Sequence, residues 1–449
     1  MTPSYRRGHP LPVLLLLLLA LTLRPAPASA AETDSLYHDA ARFIHIWNYM
    51  LTDIMVDEIR TPCNISRVYA YANIAAYEAV SPGFPKCRSL AGQLNGLTNV
   101  PKPDPAQTYD WRVAAVTAYR VIGDQLLFKT YRADSLYDAN IAEFKASGVP
   151  ADVLDRSRTY GEKVARRIID WVATDNYGKI TAATRYVIPK GRGLWEPTPP
   201  DFVDPVDPFW NTIRPFTMNR PDQFKPEPPY KFSTDRHSQF YKEAMEVYDV
   251  SKKLNDSLKV IPKFWDCNPI HSHHFGHLMF TTRQISPGGH WIAITAIAAK
   301  KKDLGMMESL ETYTLVSSAM ADAFISCWTE KYRSNVIRPV TYIKRYIDST
   351  WEPYIQTPPF PEYSSGHSTI SAAAAAVLTH MIGEMPFQDD TEVYLGTPIR
   401  SYRTFMEAAQ EAAYSRMLGG IHYRHSNEQG TKNGVQIGEY VVSTIHTRV

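Results

Sequence analysis

Residues 361–383 read Pro-Glu-Tyr-Ser-Ser-Gly-His-Ser-Thr-Ile-Ser-Ala-Ala-Ala-Ala-Ala-Val-Leu-Thr-His-Met-Ile-Gly. Proline at 358, 359 and 361 holds an extended approach, Ser364 or Ser365 then caps a helix, and an Ala-rich run carries that helix onward. The free backbone N–H groups at such a helix start form an anion site. Gly366 allows close backbone approach, Ser365 adds a hydroxyl donor, and His367 in the first turn points toward the anion. Taken alone, a plain helix cap with an exposed histidine explains the stretch equally well.

The rest of the chain agrees with a helical reading. Apolar spacings of three and four predict helices over 37–55, 66–80, 111–128, 152–174, 238–255, 291–299, 304–328, 404–418 and 427–445. Strand alternation, heptads and internal repeats are not seen. The fold class is therefore all-α, one helical bundle or two stacked bundles. A Pro- and aromatic-rich passage, 184–230, interrupts the helices. Loops this long are functional or disordered, and its aromatics argue for order. It reads as a belt over the bundle that roofs a pocket, with an interdomain linker as the alternative. The expected organisation is a leader over 1–30, an N-terminal helical region over 31–183, the belt over 184–230, and a C-terminal bundle over 231–449.

The leader is inferred from Arg6 and Arg7, the short apolar run 11–23, and Ala28-Ser29-Ala30 as a cleavage site. The chain is thus expected to be exported, periplasmic or secreted. Cleavage takes away three arginines and no acidic residue, so the formal charge falls from +2 to −1. That balance gives no reason to expect nucleic acid or an anionic membrane as partner, and the mature chain shows no membrane span. Of the four cysteines, Cys63 and Cys87 are the preferred disulfide pair in an exported protein, while Cys327 reads as a small buried residue. The segment from Asp266 to His277 is rich in potential ligands, and His273 and His277 would share a helix face. It lacks an HExxH pattern, and a surface or supporting role is the better reading.

Two further stretches carry chemistry. In Trp328-Thr-Glu-Lys331-Tyr-Arg-Ser-Asn-Val-Ile-Arg338-Pro339, the two cations lie seven residues apart and would share one helix face, with Pro339 marking the helix end. In Ser415-Arg416-Met-Leu-Gly419-Gly420-Ile421-His422-Tyr423-Arg424-His425-Ser426, the glycines end one helix and Ser426 caps the next. Arg416 and His422 would then face the same space as the helix start at Ser365.

Taken together, the order Lys-x6-Arg-Pro, Ser-Gly-His, Ser-Arg-x5-His resembles the signature of the vanadium-dependent haloperoxidases within the type-2 phosphatidic acid phosphatase superfamily. The likeness spans roughly residues 328–426. Weaker likeness extends to Ala75-Ala76-Tyr77-Glu78 and to the passage Trp195-Glu-Pro-Thr-Pro-Pro. The resemblance implies a vanadate cofactor, with phosphate able to occupy the same site. Lys331, Arg338 and Arg416 would neutralise its oxygens together with Ser365 and the Gly366 N–H. His422 would be the vanadium ligand, His367 the acid/base and Lys331 the group that polarises peroxide. Trp328 and Phe360 are similar to pocket-lining aromatics of chloroperoxidase-type members. Substrates would be hydrogen peroxide and a halide or small organic molecule. The alternative is a soluble acid phosphatase acting on phosphate monoesters, in which His422 forms a phosphohistidine. The chain departs from the family at Ser364, where proline is usual, and at Ser426, where aspartate is usual. Asp322 or Glu330 would have to compensate for the latter.

Overall fold

Side chains that the sequence supplies start many of the helices. Thr61, Asp110, Ser238, Asn255, Ser286, Ser365 and Thr404 each accept a backbone N–H from the first turn that follows. The computed structural model describes residues 35–182, 185–269 and 271–449, so the leader over 1–30 lies outside the described residues.

In chain order the first helices are α1 (Ala41–Asp57), α2 (Pro62–Val80), α3 (Trp111–Leu126), α4 (Tyr131–Ala146), α5 (Ala151–Val172) and the short α6 (Tyr177–Thr181). After the belt come α7 (Gln239–Lys252), α8 (Asp256–Phe264), α9 (Pro287–Lys301), α10 (Met306–Ser334), α11 (Pro339–Tyr346), α12 (Gly366–Ile382), α13 (Phe405–Leu418) and α14 (Arg424–Thr444). Two antiparallel ladders also occur among the described residues. One pairs β1 (His271–Phe275) with β2 (Leu278–Thr282), and the other pairs β3 (Phe387–Asp389) with β4 (Arg400–Tyr402). The architecture is all-α, as expected. No helix among the described residues is long and apolar enough to cross a membrane.

α2 and α10 occupy the middle. Every residue of α2 is buried, and so is nearly all of α10 up to Lys331. Largely apolar residues on all sides suit helices enclosed on all sides. One apolar cluster runs from Tyr37 to Ile445, and a smaller one gathers Phe240, Tyr342, Ile343 and Tyr423 around α7 and α11.

The start of α12 is positioned by α14, which presses Gly430, Gly434 and Gly438 against it. A Cβ at Gly434 would lie 2.1 Å from the Thr369 carbonyl oxygen, and one at Gly438 would lie 2.6 Å from that of Ala373. Only hydrogen fits there. The belt is stitched to α10 as a separate layer. Asp322 accepts the backbone N–H groups of Phe216, Thr217 and Met218, and the Val206 carbonyl accepts from Trp328 Nε1 and Tyr332.

Several expectations need correction. α10 ends at Ser334, where Asn335 adopts φ 47°, and Arg338 is the N-cap of α11. Lys331 and Arg338 therefore meet because the chain turns, not because they share a helix face. Ser426 lies inside the first turn of α14, whose cap is Tyr423. No disulfide joins Cys63 and Cys87, and Cys63 is a buried thiol. The histidine-rich segment is a hairpin rather than a helix, turning at Gly276 with φ 58°. His273 is exposed on β1, and His274 contacts Asp201.

Candidate active site

The three stretches converge. Lys331, in the last turn of α10, is fully buried, and its Nζ donates to the carbonyls of Pro361 (2.9 Å) and Glu362 (3.0 Å). Arg338 is equally buried. Its Nε donates to the Phe360 carbonyl at 2.9 Å and its Nη1 to the Ile421 carbonyl at 2.9 Å. Burial lowers the pKa of both, to about 10 for Arg338. The Phe360 and Trp328 rings pack at 4.8 Å between centroids and lie beneath these cations. Lys331 Nζ stands 5.1 Å and the Arg338 guanidinium carbon 5.2 Å from the Phe360 centroid.

Arg338 Nη1 also lies 3.1 Å from His422 Nε2. A guanidinium can only donate, so Nε2 accepts and the ring proton resides on Nδ1. That nitrogen donates to Glu362 Oε1 at 2.7 Å, and the same oxygen takes the Tyr423 backbone N–H at 3.1 Å. Burial and the surrounding cations hold His422 far below the usual histidine range, so it is neutral with its Nε2 lone pair directed at Arg338.

Arg416 ends α13. It donates to Ser415 Oγ at 2.9 Å, to the Asp266 carbonyl at 3.4 Å and to the Trp265 carbonyl. Burial lowers it to about 10. His367, at the start of α12, bonds the Trp265 backbone and is depressed well below 6.5, chiefly by burial and then by Arg416. Its Nε2 has no partner, so Nδ1 carries the bonded proton and Nε2 is a free acceptor. A Cβ on Gly366 would meet Trp328 at 3.5 Å, so the glycine leaves a gap facing the ring.

A pocket opens among these groups. Trp328, Phe360, Gly366, His367, Arg416 and His422 line it, and Pro62, Val206, Asp266, Cys267, Pro287 and Phe324 are among the remaining wall residues. Lys331 and Arg338 sit behind Phe360 and Pro361, joined to His422 through Glu362 and directly. Ser365 arrives as the helix cap, with Oγ 2.8 Å from Ser368 Oγ and 3.4 Å from its backbone N, and does not line the pocket.

The charge balance identifies what fits. Lys331, Arg338 and Arg416 are buried together, and uncompensated buried cations are costly. The nearby carboxyls do not cancel three cations, since Glu362 is engaged by His422 and the Tyr423 N–H and burial pushes Asp266 up to about 7. Arg338 Nη2 is buried without a partner. A compact oxyanion meets these demands.

Glu362 is the residue that sequence reasoning missed. The expected compensators serve elsewhere: Asp322 holds the belt, and Glu330 pairs with Arg333 on its own helix. The available signal was a single acid between Pro361 and Tyr363. Ser426 contributes only a hydroxyl 3.4 Å from His422 Nδ1.

Comparisons with known proteins extend the picture. Residues 311–449 match the family described as the VCPO second helical-bundle domain. No curated protein matches the sequence. A bacterial vanadium-dependent iodoperoxidase structure is 44% identical, with a TM-score of 0.85 over 91% of this chain and 97% of that one. A holo-type bacterial vanadium-dependent chloroperoxidase, 16% identical, shares the fold with a TM-score of 0.64 over 86% of this chain and 92% of that one. Identity of that order over nearly the whole length, on a fold that gathers Lys331, Arg338, Arg416 and two neutral histidines, places the chain in the vanadium-dependent haloperoxidase family.

Proposed function

We propose that this protein holds vanadate in the pocket and uses hydrogen peroxide to oxidise halide, with iodide as its preferred substrate. The observation that carries the reading is His422. Glu362 fixes its tautomer so that Nε2 offers a lone pair within a cluster of buried cations. The halide is proposed from the similarity to the iodoperoxidase.

Bound vanadate supplies a Lewis-acidic centre at which peroxide becomes electrophilic enough for halide to attack. The chain's residues do the rest. His422 Nε2, which accepts from Arg338 Nη1 here, would hold the group, and the Arg338 guanidinium, Lys331, Arg416 and the Gly366 N–H would compensate the oxyanion charge. His367 is neutral, and its free Nε2 takes a proton from hydrogen peroxide and returns it to the departing oxygen. Trp328 and Phe360 exclude water beside the reacting centre. We also propose that residues 1–30 direct export, so that the enzyme acts outside the cytoplasm.

The test is to load purified protein with orthovanadate and follow peroxide-dependent iodination of a phenol, with bromide and chloride in parallel. Iodination without appreciable phosphate-ester hydrolysis by the apo protein is expected. Hydrolysis of a phosphate monoester, inhibited by vanadate and with no halogenation, would overturn the proposal.

A further inference from the structure

Where Cys267 leaves the pocket wall, ligating side chains from three distant segments meet in the interior. Cys267 Sγ lies 3.4 Å from His290 Nδ1 and 3.8 Å from Glu392 Oε1, and His290 Nδ1 lies 3.4 Å from that same oxygen. All three residues are buried. We infer that Cys267, His290 and Glu392 form a three-ligand site for one zinc-type divalent cation, with the fourth tetrahedral position left open to water.

Geometry comes first. A tetrahedral centre with bonds of roughly 2.0 Å to N and O and 2.3 Å to S separates its ligand atoms by roughly 3.3–3.6 Å. The three measured separations form one face of such a tetrahedron with little adjustment. The donor set is one thiol, one imidazole and one carboxylate, which suits zinc and not the oxygen-seeking calcium or magnesium.

The surroundings are also those of a metal site. His290 Nε2 bonds Asp389 Oδ2 at 2.8 Å, which leaves Nδ1 as the lone-pair nitrogen facing Cys267 and Glu392. A carboxylate behind a ligating histidine is the usual outer support of such a centre. Glu392 Oε2 is buried without a partner. Cys267 adopts φ 41°, a left-handed conformation that a non-glycine residue holds only where its surroundings demand it. Binding would release the thiol proton to solvent, and the resulting thiolate with the Glu392 carboxylate balances a divalent charge.

The site would anchor the segment that positions Arg416. Trp265 stacks on His290 at 4.4 Å between centroids, and the carbonyls of Trp265 and Asp266 hold the guanidinium. The competing arrangement is a proton in place of the metal, with His290 as a cation between Asp389 and Glu392.

Elemental analysis of the untagged full-length protein, purified without added vanadate, distinguishes the two. One zinc per chain is expected. After chelation, Co²⁺ should produce a thiolate-to-metal charge-transfer band. Cys267→Ser should abolish that band, and Asp389→Asn should weaken zinc binding roughly 10–100-fold. His422→Ala, and the hairpin variant His273→Ala with His274→Ala, should retain zinc, which separates this site from the pocket and from surface histidines. Wild-type protein that takes up neither Zn²⁺ nor Co²⁺ overturns the inference, and so does a cobalt spectrum lacking thiolate character. These readouts need no halide turnover and hold whether or not Cys267→Ser folds.

Discussion

Glu362 Oε1 and His422 Nδ1 stand 2.7 Å apart, across 60 residues of sequence, and this contact decides which nitrogen of the ring carries the proton. Glu362→Gln keeps the shape and an acceptor oxygen but removes the charge that strengthens the ring as a donor of electrons. Vanadate affinity should fall roughly 10–100-fold with little change in melting temperature, whereas His422→Ala should abolish activity without unfolding. A vanadate titration of both proteins is the measurement, and unchanged affinity in Glu362→Gln would reduce the contact to packing.

Gly366→Ala tests the gap facing Trp328. The added Cβ makes an ordinary contact with the indole at 3.5 Å, and alanine is favoured over glycine in a helix by up to about 1 kcal/mol. The fold should therefore be as stable as wild type or slightly more so. Oxyanion affinity should nevertheless drop about tenfold, equivalent to roughly 1.4 kcal/mol. Calorimetry beside binding separates the two effects.

Glu78 provides a pH dependence remote from the pocket. Burial pushes its carboxyl up to about 7, although Ser89 Oγ donates to it at 2.8 Å. The folded protein thus binds a proton that the unfolded chain, with a pKa near 4.3, has already released. The contribution of Glu78 to stability should rise as pH falls from about 7 toward 4.5, by at most on the order of 3 kcal/mol. Denaturant melts of wild type and Glu78→Gln across that window should differ by this slope, since Asp266 and the buried histidines contribute equally to both proteins.

Gly434→Ala would drive a methyl into the Thr369 carbonyl, so α14 must move away from α12. A loss of about 1–3 kcal/mol is expected, together with reduced turnover, since α12 carries Gly366 and His367. Unfolding midpoints and kcat for the variant check both; an unaltered protein would show that the two helices separate easily.

Export is tested by N-terminal sequencing of protein recovered from outside the cytoplasm. The mature chain should begin at or near Ala31, after Ala28-Ser29-Ala30. A product that retains Arg6 and Arg7 would remove the leader.

Much of the site was legible because its residues sit at helix boundaries, where sequence signals are sharpest. Ser365 caps and Gly419 and Gly420 stop a helix, but Lys331, Arg338, His367, Arg416 and His422 took their roles from the combined resemblance of three stretches to a family signature, and Pro339, read as a helix end, in fact starts α11. Glu362 was not legible, since its role comes from a partner far along the chain and no period marks it. α4 escaped notice because Arg132, Asp134, Asp138, Glu143 and Lys145 dilute its buried face of Ala133, Tyr137, Ile141 and Phe144. The β1–β2 hairpin was hidden for a similar reason. Its histidines supply no apolar alternation, and only the turn at Gly276 betrays it. Cys63 and Cys87 show the opposite failure: nearness in sequence suggested a bridge that the packing does not make.

The three glycines of α14 carry an evolutionary consequence. Where two backbones touch with only hydrogen between them, no smaller residue exists, and every replacement is a whole methyl too large. That seam can be kept or lost but not graded, so selection for a different halide has little room there. Tuning of the site must therefore come from side chains elsewhere in the pocket wall, where size can change in small steps while this seam stays fixed.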